Sequence, residues 1–86
     1  MDDFLSRRPA GVELNALSER VFEVLVDFTA FPWPLLRTQA ERVGADPAAL
    51  GRTALARLVE PLASGVARFN TPEAGREVQL ALERLL

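Results

Sequence analysis

Proline and glycine interrupt the chain at several places and so limit the length of each element of secondary structure. The interruptions that matter most are Pro32, Pro34, Gly44, Pro47, Pro61 and Pro72. Proline lacks a backbone N–H and disfavours a helical conformation in the residue before it. Glycine readily takes the left-handed conformation that ends many helices. With 86 residues, the chain is long enough for one small domain built from short elements.

The first apolar stretch predicts a helix that begins after Asn15 and runs to Phe31. Asparagine is a favoured N-cap residue, because its side-chain oxygen accepts a hydrogen bond from the first turn. Apolar side chains then recur at alternating spacings of four and three residues, at Leu17, Val21, Val24, Phe28 and Phe31. This spacing places them on one side of a helix. We expect the sequence FPWP to stop the helix, with Trp33 packed at the corner.

The middle of the chain predicts two helices joined by a tight turn. LLRTQAERV forms the first of them and ends at Gly44, where a positive φ is expected. The second begins at Asp46 as N-cap and Pro47 at the first helical position. Its inward side carries Leu50, Ala54 and Leu58.

The segment after Pro61 allows two interpretations, because its apolar residues fit both a helical and an alternating period. In the interpretation that we favour, the third helix ends near Glu60, and SGVARFN and REVQLAL are strands joined by a turn at TPEAG. In the other, the third helix continues as one long, kinked helix with Leu62, Val66 and Phe69 inward. Thr71-Pro72-Glu73 then caps a fourth helix. Its inward residues are Val78, Leu82 and Leu85.

The order of these elements resembles the winged helix-turn-helix domains of MarR-type and similar small bacterial regulators. AERVGADPAALGR resembles their turn and the start of their recognition helix, and SGVAR and EAGREVQLAL resemble the strands of the wing. The resemblance implies a mainly α fold with a helix-turn-helix core and a C-terminal β-wing. The alternative is an all-α four-helix bundle. We expect residues 1–12 to be a flexible arm and residues 13–86 to form a single winged helix-like domain.

Composition argues against catalysis. The chain has no Cys, His or Lys, so it lacks the usual thiol nucleophile, the commonest general base and the commonest zinc ligands. No glycine-rich phosphate loop is present. We therefore expect no enzymatic activity, no cofactor and no metal. The chain also lacks an apolar run long enough for a membrane span and a signal-peptide pattern at its start, so we expect a cytoplasmic protein with no membrane partner.

The arginines of the second half predict a surface for double-stranded DNA. Residues 1–33 carry three Arg against six Asp and Glu, whereas residues 34–86 carry seven against six. Long polar side chains on a recognition helix read base edges, and other cations contact phosphates. The predicted contacts are Arg37, Arg52, Thr53, Arg57, Arg68 and Arg76. One function is therefore a small DNA-binding regulator. The alternative is a protein-interaction module without DNA binding, because the residues around Arg52 are mostly alanine.

The first helix also predicts self-association. Its apolar arc is too wide for one core, so part of it should remain exposed as an interface. The residues predicted at this homodimer interface are Phe22, Leu25 and Val26. Phe28, Phe31 and Trp33 could line a ligand pocket, but we favour packing in the core and at the corner as their role.

Overall fold

A computed structural model describes residues 11–86, which form four α-helices. These are α1 (Ala16–Val26), α2 (Pro32–Arg42), α3 (Arg52–Phe69) and α4 (Pro72–Glu83). The prediction of a mainly α fold is confirmed. Residues 11–86 contain no strand, and the segment predicted as a wing lies in α3 and α4. This fits the all-α alternative better than a β-wing. Of the predicted N-terminal arm, residues 1–10 lie outside the described part of the chain.

Helix α1 begins as the sequence predicts but ends earlier. The Asn15 Oδ1 accepts a hydrogen bond from the Ser18 backbone N at 2.8 Å, which confirms the N-cap. The helix ends at Val26 rather than at Phe31. The chain then turns, and the Thr29 hydroxyl accepts a hydrogen bond from the Phe31 backbone N. Pro32 begins α2 instead of only stopping α1, since its missing N–H would have no partner in a first helical turn.

The connection between α2 and α3 is longer than predicted. Gly44 follows α2 with a φ of +73°, as expected, but α3 begins at Arg52 rather than at Pro47. The Asp46 side chain accepts from the Ala48 backbone N at 2.9 Å, and the Ala49 N donates to the Asp46 backbone oxygen, which closes a single turn that does not continue into α3. The whole connection spans residues 43–51.

Contacts with α1 hold this connection in place. The Ser18 hydroxyl accepts a hydrogen bond from the Leu50 N at 2.9 Å, and the Asn15 Nδ2 donates to the Leu50 oxygen at 2.9 Å. The Asn15 backbone N also donates to the Ala48 oxygen. These bonds satisfy the backbone of Leu50, which is buried, without a helix. They explain why helix α3 starts after Leu50.

Helix α3 continues through Pro61 for two more turns, as in the second interpretation of the sequence. Burial of Leu58, Leu62 and Val66 on one side outweighs the backbone hydrogen bond that proline cannot donate. The Thr71 hydroxyl caps α4 by accepting from the Ala74 N at 3.0 Å. The expectation that Phe69 points inward is wrong, because this side chain is 76% exposed.

All four helices contribute to one core. Its fully buried side chains include Val21, Leu25, Leu36, Leu55, Leu58, Leu62, Val66, Val78 and Leu82. Trp33 packs against this core from the start of α2, in agreement with its predicted corner position. Within residues 11–86, no helix combines the length and the apolar character needed to cross a bilayer.

Helices α3 and α4 approach each other closely at Gly75. A Cβ atom on Gly75 would lie 2.7 Å from the Ala67 Cβ and 2.8 Å from the Ala63 oxygen. Both distances are shorter than van der Waals contact. The α3–α4 contact therefore contains small side chains, and the two helix backbones lie close together at this point.

Candidate functional site

The structure does not gather the predicted DNA contacts on one face. Arg52 and Thr53 lie in the first turn of α3 and Arg57 in the second. At 100° per residue, Arg52 and Arg57 are roughly 140° apart around the helix. Arg68 lies roughly 24 Å further along the axis than Arg52. The remaining two predicted contacts, Arg37 and Arg76, lie on α2 and α4. All six side chains are exposed, and their contact with DNA stays a prediction.

The spacing between α2 and α3 also bears on the predicted recognition unit. A helix-turn-helix joins its two helices through a turn of about three or four residues. In this chain nine residues, 43–51, separate the two helices. Arg52 therefore follows a long connection that is hydrogen-bonded to Asn15 and Ser18, rather than a tight turn.

The predicted dimer residues lie mostly inside the domain. Phe22 is 4% exposed and Leu25 is fully buried, whereas Val26 is 40% exposed. The expectation that Phe22 would be left on the surface is wrong, because its side chain is buried. Only Val26 of these three residues offers apolar surface to a second copy, and the homodimer itself stays a prediction.

An open groove of about 530 Å³ lies between α2 and α3. Its floor forms where Leu35 packs against Gly65. A Cβ atom on Gly65 would lie 2.7 Å from the Leu35 Cδ1. The described residues that line the groove are Thr29, Phe31, Pro34, Leu35, Thr38, Gln39, Arg42, Pro61, Ser64, Gly65, Arg68 and Phe69.

Two phenylalanines form an apolar end of this groove. Phe31, just before α2, is 47% exposed, and Phe69, at the end of α3, is 76% exposed. The neighbouring turns are joined, because the Asn70 Nδ2 donates a hydrogen bond to the Phe28 oxygen at 3.0 Å. Two large aromatic side chains therefore face solvent at a fixed corner of the fold. The interpretation of Phe31 as a core residue is wrong, whereas Phe28 and Trp33 do pack against the core.

The charge of the groove is positive. Arg42 and Arg68 line it, and within residues 11–86 no Asp or Glu side chain does. Arg57 lies on the same stripe of α3 as Pro61, Ser64 and Arg68, since it precedes them by four, seven and eleven residues. Sequence reasoning selected Arg57 and Arg68 but missed Arg42. The spacing of Leu35, Thr38 and Arg42, at three and four residues, is the signal that places Arg42 on the groove side of α2.

Neither metal chemistry nor similarity to known proteins adds a residue to this site. In the part of the chain that the structure describes, no group of three or more His, Cys, Asp or Glu residues is placed to hold a metal ion. Comparison with protein-family models, with curated proteins and with solved structures finds no match to the chain.

Proposed function

We propose that this chain is a non-enzymatic, all-α interaction module that binds a segment of another protein in the groove between α2 and α3. The observation that carries the proposal is the exposure of Phe69, at 76%, at the end of an open groove. Burying a phenylalanine side chain contributes roughly 1.5–3 kcal/mol to stability. The free domain gains little of this free energy from Phe69, because the side chain is mostly exposed. A complex in which a partner covers Phe69 gains it.

The size and composition of the groove also suit a peptide ligand. Binding clefts of roughly 300–1,000 Å³ hold ligands of the size of several side chains, and this one measures about 530 Å³. Its apolar end and its hydroxyl, amide and guanidinium groups would provide anchors and orientation. A groove between two helices is also a common docking place for amphipathic segments.

The arrangement of the arginines supports a protein partner over duplex DNA. A DNA reader needs its cations on one face and its readers on a helix that can enter a groove. Here Arg52 and Arg57 lie on different sides of α3, and the connection before α3 is pinned to α1 by Asn15 and Ser18. The net charge of the chain is −2, which gives little general attraction to phosphate.

Selection from a random peptide library tests this proposal. Peptides should be enriched on the full chain, and Phe69→Ser should abolish their binding, since it removes the exposed apolar anchor. Leu80→Ser is the matched control, because Leu80 is 50% exposed on α4 and lies outside the groove. The same protein should not bind random duplex DNA at about 50 mM salt, where non-specific binding is stronger than at physiological salt. Duplex binding that Arg52→Gln removes, with no peptide enriched, would overturn the proposal.

A further inference from the structure

The charge of the groove points to the chemistry of its occupant. Resting on the proposed function, we infer that the bound segment is acidic and carries a large apolar side chain. Carboxylates of the segment pair with Arg42 and Arg68, and its apolar side chain is held by Phe31 and Phe69. This assignment defines both a composition and an order of residues in the partner.

The two arginines match carboxylates in particular. Guanidinium groups donate in a planar fork that fits a carboxylate with two parallel hydrogen bonds. Both arginines are exposed in the unbound groove, and a bound segment that covers them excludes part of the water that screens the charges. No carboxylate among residues 11–86 lines the groove to compete for these cations.

The positions of the anchors set the order of the partner's residues. Arg68 and Phe69 are neighbours in the chain, so an acidic residue and the apolar anchor of the partner should also be close together. Arg57 lies three turns before Arg68 on the same stripe, roughly 16 Å away along the axis. A segment that reaches both needs a second acidic group at that distance, which is about five residues in an extended chain or eleven in a helix.

The small number of cations disfavours a nucleic acid in the same groove. Single-stranded nucleic acids also combine negative charge with stacking on aromatic rings. Their phosphates, however, form a continuous track, and among residues 11–86 only Arg42 and Arg68 supply cations to the groove. A peptide can place carboxylates opposite these two arginines and neutral residues elsewhere.

The composition of peptides selected from a random library on the full chain tests the inference. We expect enriched peptides to combine acidic residues with a nearby aromatic or leucine side chain. Arg42→Gln and Arg68→Gln should each weaken the strongest peptide by about tenfold, the loss expected for one charge-assisted pair. Arg20→Gln, which changes an exposed arginine on α1, should leave the affinity unchanged. Raising the salt concentration should weaken binding further.

Other results separate this inference from the proposed function. Two results would overturn the acidic assignment and leave the interaction module in place. In the first, the enriched peptides are neutral or basic. In the second, both arginine variants bind the peptide as tightly as the wild type does, while Phe69→Ser still abolishes binding. If no peptide is enriched, both the acidic assignment and the interaction module are wrong. Single-stranded oligonucleotide that competes with the selected peptide at the groove would identify a nucleic acid as the occupant and overturn the inference.

Discussion

Helix α3 packs against α4 on one side and against α2 on the other, and the two contacts differ in the size of their side chains. Toward α4 it presents Ala63 and Ala67, and Gly75 of α4 comes within van der Waals contact of both. Toward α2 it presents Pro61, Ser64 and Arg68, and an open groove remains. Small residues let the two helix backbones of α3 and α4 meet and leave a depression of about 300 Å³ on that side, whereas longer and polar side chains keep α2 and α3 apart and leave the groove of about 530 Å³.

This difference assigns separate roles to the two sides of one helix. The α3–α4 side should carry stability, because a change there disturbs backbone as well as side chains. The α2–α3 side should carry binding and tolerate change, since its groups already face solvent. Substitutions at matched positions on the α3–α4 side and the α2–α3 side test this difference in role.

Gly75→Ala is the most disruptive of these substitutions. The new Cβ would lie 2.8 Å from the Ala63 oxygen, and backbone cannot move aside without shifting the helix. Overpacking of this kind costs roughly 1–3 kcal/mol, from which the better helix propensity of alanine subtracts up to about 1 kcal/mol. We expect the free energy of unfolding to fall by about 1–2 kcal/mol in urea titrations. An unchanged unfolding midpoint would show that the α3–α4 contact is looser than the structure indicates.

Gly44→Ala should have a smaller effect, at the end of the helix that forms the other wall of the groove. Gly44 has a φ of +73° with no neighbouring atom within 4 Å, so the cost is backbone strain alone. That strain is roughly 1 kcal/mol for a residue with a Cβ atom. The control is Gly51→Ala, because Gly51 has an extended backbone and open space around it. Thermal unfolding that lowers the midpoint equally in both variants would contradict this account of the turn.

Gly65→Ala compares directly with Gly75→Ala, since both glycines lie inside helices at a close approach. The three nearest atoms to a Cβ on Gly65 all belong to the Leu35 side chain, which can rotate into the groove. We expect a change in unfolding free energy within about 0.5 kcal/mol, because the gain in helix propensity offsets the repacking. A loss as large as that of Gly75→Ala, measured in the same titration, would remove the distinction between the two sides.

Phe69→Ser should change stability least and binding most. Phe69 is 76% exposed, and surface substitutions usually change stability by less than about 0.5 kcal/mol. The variant should unfold at the wild-type urea concentration yet no longer bind selected peptides. A clear loss of stability would mean that Phe69 packs within the domain rather than serving a partner.

Local signals in the sequence predicted where several helices begin and end. Asn15 and Thr71 cap α1 and α4, and Gly44 follows α2 with positive φ. Each of these depends on one residue and its immediate neighbours. The helical period of Leu58, Leu62 and Val66 likewise predicts the long form of α3. Periodicity does not decide between this form and the wing, because VQLALERLL fits a strand and a helix equally well.

Contacts between distant residues account for what the sequence did not predict. The start of α3 depends on bonds from Leu50 to Ser18 and Asn15, more than thirty residues away. The burial of Phe22 depends on tertiary packing, which the helical period of α1 does not show. The groove needs α2 and α3 side by side, so Arg42 and Phe31 cannot be joined to Arg68 and Phe69 by periodicity alone.

In the proposed function, the groove between α2 and α3 receives the partner, and the opposite side of α3 does not. A ¹H–¹⁵N correlation spectrum of the full chain, titrated with the most strongly selected peptide, tests it most directly. Binding in this groove should shift the amides of Thr38, Gln39, Ser64 and Gly65 with peptide concentration, while those of Ala74, Gly75 and Val78 stay in place. Shifts concentrated on α4, or on the first turn of α3 around Arg52, would contradict it.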